Sequence, residues 1–104
     1  MKVSVNVRAV GVVWYGSKKA YSWARANMED GSLMPRAYGA WKQNAKTALR
    51  ILQADAGADM VEKVEIEPAE FQAWCEANNL GLNAVSRIKY VSEIATELAR
   101  ARAH

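Results

Sequence analysis

Cysteine, histidine and proline are scarce in this chain of 104 residues, which has one Cys, one His and two Pro. Cys75 alone cannot close an internal disulfide, and with His104 as the sole imidazole no Cys/His metal site can be assembled. A cysteine nucleophile would need a base, and His104 sits on a terminus that should fray, so Cys75 reads as a small buried hydrophobe. The chain also lacks a glycine-rich phosphate loop and a Ser/His pair for a triad. No catalytic residue, metal or cofactor is therefore expected, and the protein reads as non-enzymatic. Long apolar runs are missing too. The longest, Val10 to Tyr15, is broken by Gly11 and falls far short of the roughly 20 residues of a membrane span. No basic and apolar leader pattern opens the chain, so a cytoplasmic protein is expected.

What the first half lacks is acid. Residues 1–50 carry nine Lys/Arg against two Asp/Glu, a charge of +7, and residues 51–104 carry five against nine, a charge of −4. Such asymmetry points to an anionic partner on one side of the molecule. The basic half is also the aromatic half: Trp14 to Lys42 holds six of the nine aromatic residues. Basic and aromatic side chains interleaved in this way have the composition of a surface that neutralises phosphates and stacks bases. The expected contact set is Lys18, Lys19, Arg25, Arg36 and Lys42 on phosphates, with Tyr21 or Trp23 on bases. The same residues would also serve a core with a solvated basic rim.

Along the chain, residues 2–8 alternate, with Val3, Val5 and Val7 on one face, and predict a half-buried strand continuing towards Val13 with a bulge or bend near residues 9–11. Residues 20–28 satisfy two periods. As a strand, Tyr21, Trp23, Arg25 and Asn27 oppose Ser22, Ala24, Ala26 and Met28; as a helix, Ser17 caps a segment that buries Ala20, Trp23, Ala24 and Met28. The strand, entered by a hairpin loop at residues 16–19, is the preferred expectation. Residues 36–55 predict a long helix ended by Gly57, and residues 60–67 a second alternating strand. Pro68 starts a helix to about Asn78, and Asn83 caps a last one to about Arg102 with Val85, Ile88, Val91, Ala95 and Leu98 inward. The chain thus reads as a single α+β domain, residues 1–104. In residues 1–67 a small, mostly antiparallel sheet is packed by one long helix, and residues 68–104 form a helical hairpin.

Residues 73–91 also have the outline of a helix-turn-helix that would aim Ser86, Arg87 and Lys89 at a major groove, although an ordinary helical hairpin explains the spacing equally well. The acids Glu62, Glu65, Glu67, Glu70 and Glu76 read as a solvated face.

Residues 67–93, EPAEFQAWCEANNLGLNAVSRIKYVSE, resemble the ending of small uncharacterised proteins encoded by bacteriophages and prophages. The shared pattern is an aromatic-x-x-Trp-Cys helix followed by an Asn/Gly-Leu turn, carried here by Phe71, Trp74, Cys75, Asn79 and Leu80. The resemblance covers about a quarter of the chain, implies origin on a mobile element, and transfers no functional residue. Its implied partners are nucleic acid or a host protein complex, which a phage accessory protein would inhibit or adapt. No membrane partner is expected, and a homodimer through a strand edge or the last helix is left open.

Overall fold

The computed structural model describes residues 9–102. Strand β1 (Val10–Trp14) leads into helix α1 (Lys18–Asn27), a 3-10 turn (Gly31–Leu33) and helix α2 (Tyr38–Ala56). A second 3-10 turn (Ala58–Met60) enters strand β2 (Val61–Glu65), and helices α3 (Pro68–Ala77) and α4 (Ala84–Arg102) follow. The predicted strand over residues 2–8 lies outside the described residues. No helix among the described residues is long and apolar enough to cross a membrane.

The α+β class holds, but the sheet is parallel rather than antiparallel. β1 and β2 pair from Val10 opposite Val61 to Trp14 opposite Glu65. The cause lies in residues 20–28, where the preferred strand and its hairpin are replaced by α1. Ser17 sits in extended backbone (φ −148°, ψ 156°) and its hydroxyl accepts from the Ala20 amide at 3.1 Å, which caps the first turn. Tyr21, Ala24 and Met28 are then buried one turn after another. With helices instead of a hairpin between them, the strands are joined by a crossover and run the same way. The expected bulge near Gly11 is also absent from the paired residues 10–14, which match β2 one for one. Gly11 serves a different purpose: a Cβ there would stand 2.3 Å from the Val91 carbonyl oxygen, so its absence lets the α4 backbone close on the sheet.

That close approach marks a second correction. The long helix that covers the sheet is α4, while α2, expected in that role, has no buried residue. Tyr90, Val91 and Ala95 of α4 meet Tyr15, Val64 and Ile66 in the core. The inward face of α4 is Ser86, Tyr90, Val91 and Ala95, whereas Val85, Ile88 and Leu98 are 72%, 63% and 42% exposed. Burial of Ser86 is tolerated because its hydroxyl donates to the Gly81 carbonyl at 2.6 Å, and the predicted cap residue Asn83 accepts from the Ser86 amide at 3.0 Å. α3 begins at Pro68 as predicted, with the Glu67 carboxylate accepting from the Glu70 amide at 2.9 Å. Phe71 and Trp74 lie 5.1 and 5.2 Å from the Tyr90 ring, which ties α3 to α4.

Candidate nucleic-acid interface

The aromatic residues of the basic half mostly turn inward. Tyr15 and Tyr21 are 1% exposed, and Tyr15, Tyr21 and Tyr38 all have ring centroids within 6 Å of Trp41. Two of the three tyrosine hydroxyls are anchored, Tyr38 donating to the Tyr15 carbonyl at 2.6 Å and Tyr21 to the Pro35 carbonyl, while the buried Tyr15 hydroxyl has no hydrogen-bond partner among the described residues. This cluster joins β1, α1 and α2, and it removes Tyr21 from any stacking role. The expected row of Tyr21, Trp23 and Arg25 does not form, because successive residues of a helix fan out around its axis.

What the cluster does instead is fix the position of two helix N-termini. Lys18 opens α1 and Tyr38 opens α2, and together with Ser22, Arg36, Ala37, Gly39 and the flank of Tyr21 they line one depression of about 360 Å³. The first turn of α2 is electrostatically bare. Its cap residue, Ala37, has no side chain to accept from the leading amides, and no acid lies in that turn. The helix dipole therefore presents unneutralised positive character beside Lys18 and Arg36. The Lys42 ammonium, one turn further on, sits 5.8 Å from the centre of the Tyr38 ring. Three of the five predicted phosphate contacts, Lys18, Arg36 and Lys42, thus gather around the start of α2.

The others go elsewhere. Lys19 and Trp23 lie on the opposite flank of α1, in a cleft of about 480 Å³ shared with Glu65 and Glu67, whose carboxylates disfavour a phosphate. Arg25 occupies the last turn of α1, half-buried. Lys46 and Arg50, absent from the expected contact set, continue the basic surface along α2 beside Gln43 and Thr47, and all four are exposed. The signal that could have found them is the acid-free run from Gly31 to Ala54, which contains Arg36, Lys42, Lys46 and Arg50.

The helix-turn-helix reading of residues 73–91 fails on placement. Ser86 is buried, and Arg87 makes a two-pronged ion pair with Asp30 at 2.6 and 2.8 Å. Arg87 holds the Asp30 carboxyl below its ordinary value, and burial, opposed by the Arg87 charge and helped by Asp30 and Tyr21, pushes the Tyr15 phenol up to about 12. Cys75 is 1% exposed, and burial raises its thiol. Among the described residues no three His, Cys, Asp or Glu side chains gather as metal ligands. Comparison with protein-family models, characterised proteins and solved structures found no match.

Proposed function

We propose that this chain is a small, non-enzymatic cytoplasmic protein of mobile-element origin that binds nucleic acid through the basic face built on α2. The observation that carries the reading is the convergence of Lys18, Arg36 and Lys42 on the uncapped first turn of α2, continued by Lys46 and Arg50. Lysines 42 and 46 and Arg50 are spaced by four residues, so they rise along one side of the helix at about 6 Å per step. A polyanion lying along that side meets cations at each step and no carboxylate before Asp55.

Fluorescence anisotropy of a labelled random-sequence DNA, titrated with protein from 50 to 200 mM salt, tests this. Four to five phosphate contacts predict a slope of log K against log salt of about −3.6 to −4.5 for a duplex. Changing Lys18 and Arg36 together to Glu should weaken binding at every salt concentration and flatten the slope. Lys19→Glu, on the other flank of α1, should do so much less. Affinity that is absent at 50 mM salt, or that does not respond to salt, would remove the proposal.

A second reading has its own support, in the exposed Val85 and Ile88 on the first two turns of α4. Apolar side chains in that position suit docking on a host protein complex, with the basic residues steering the approach. Recovery of a stoichiometric protein partner from nuclease-treated bacterial lysate, lost on changing Val85 and Ile88 to Ser, would favour it over nucleic acid.

A further inference from the structure

The outward face of α2 differs from an ordinary solvated helix face in three respects. First, the helix packs only by its inner side: Tyr38, Trp41, Lys42, Ala45, Leu49, Leu52 and Gln53 are half-buried, and the remaining residues are exposed. Second, its exposed side bears Gln43, Thr47 and Arg50 on adjacent turns, with Lys46 beside them and Asn44 at the edge. These side chains suit base edges: amides pair with adenine and guanidinium with guanine, while Thr47, whose hydroxyl donates to the Gln43 carbonyl at 3.1 Å, has its methyl for apolar contact with a thymine methyl. Surface helices that are merely solvated commonly carry carboxylates as well, and here none occurs between Tyr38 and Ala54. Third, the residues of the exposed first turn are Gly39 and Ala40, and a Cβ at Gly39 would meet nothing within 4 Å, so the helix can be approached closely at the end where its dipole is positive.

Resting on the nucleic-acid reading above, we infer that the ligand is duplex DNA and that α2 enters its major groove, with Gln43, Thr47 and Arg50 facing base edges and Lys18, Arg36 and Lys42 holding the flanking phosphates. A helix about 10–12 Å across fits the groove of B-form DNA, which is about 12 Å wide, whereas the deep, narrow major groove of duplex RNA excludes it. Single strands are disfavoured because the aromatic side chains that would stack their bases are held in the core, Tyr15 and Tyr21 above all.

The test is a selection by the full-length protein from a pool of duplex DNA with a 16-base-pair randomised centre. Direct binding of the selected sequence is then measured as duplex DNA, single-stranded DNA and duplex RNA. The expected result is enrichment of a short motif, with the duplex DNA bound about tenfold or more tighter than the other two forms. Gln43→Ala and Arg50→Ala should each lower affinity for the selected duplex about tenfold and relax one position of the motif, and Gln43→Ala should leave the salt slope unchanged. Both side chains are exposed, so circular dichroism and the thermal midpoint should match those of the unaltered protein. Salt-sensitive binding without enrichment, or with single strands or duplex RNA preferred, would overturn the groove reading and leave the polyanion reading standing. No binding to any of the three forms would overturn both.

Discussion

Asp30 and Arg87 lie 57 positions apart, yet their two-pronged contact joins the turn after α1 to the second turn of α4. Both are largely shielded from solvent, with 26% and 13% of their side chains exposed, so the pair is not a surface ornament. Since the Asp30 carboxyl titrates below its ordinary value, the pair stabilises the fold above about pH 4, where the unfolded chain's Asp is ionised, and that contribution is lost as pH falls through the lower native value. Asp30→Asn should therefore cost about 1–3 kcal/mol at pH 7, measured by urea unfolding, and the difference from the unaltered protein should shrink below about pH 4. A gap that stays constant with pH would show that the pair does not titrate as described. Cys75 behaves in the opposite sense. Buried beside Ser86, with its thiol raised, it should react with a thiol reagent only as fast as the protein opens, and Cys75→Ala should cost about 1 kcal/mol.

Element by element, periodicity worked where one period was available. The helices over residues 36–55 and 68–78, the last helix and the strand over residues 60–67 were all legible, because each has an apolar stripe of a single spacing and a defined stop such as Gly57, whose φ of 91° no other residue adopts freely. α1 was not legible, since large and small side chains alternate along residues 21–28 while its alanines and the Ser17 cap suit a helix. Tertiary packing of Tyr21 against Trp41 decided between the two. The direction of the sheet followed from that one assignment. The inward face of α4 was misjudged by about one residue, because burial of Ser86 depends on the Gly81 carbonyl, a partner that hydrophobic spacing does not reveal. The fit of α4 on β1 gives a sharp test. Gly11→Ala would push a methyl group against the Val91 backbone, and should lower stability by about 1–3 kcal/mol in thermal unfolding, where an Ala elsewhere in a strand would be nearly neutral. An unchanged midpoint would mean that α4 does not sit so close.

The whole molecule measures 52 × 33 × 18 Å, with a radius of gyration of 14.9 Å against about 13 Å for a compact chain of this length. This is an elongated shape in which α2 keeps one entire side in solvent. The split of charge between the halves was visible in the sequence, and Lys18, Arg36 and Lys42 stood out there as basic residues, but their gathering at the start of α2 was not. Which aromatics were surface and which were core was not, because that depends on ring-to-ring contacts among Trp14, Tyr15, Tyr21, Tyr38 and Trp41 that form only when three elements meet. The central claim is that the outer face of α2 is the working surface. Its most direct test is an NMR titration of the isotope-labelled protein with a short DNA duplex at low salt, following backbone amides. If α2 is the working surface, the largest shift changes fall on Gly39, Ala40, Gln43, Lys46, Thr47 and Arg50, with smaller ones at Lys18 and Arg36 and little change in α3. Changes centred on the cleft of Trp23, Glu65 and Glu67, or on Val85 and Ile88 of α4, or no saturable change at all, would contradict it.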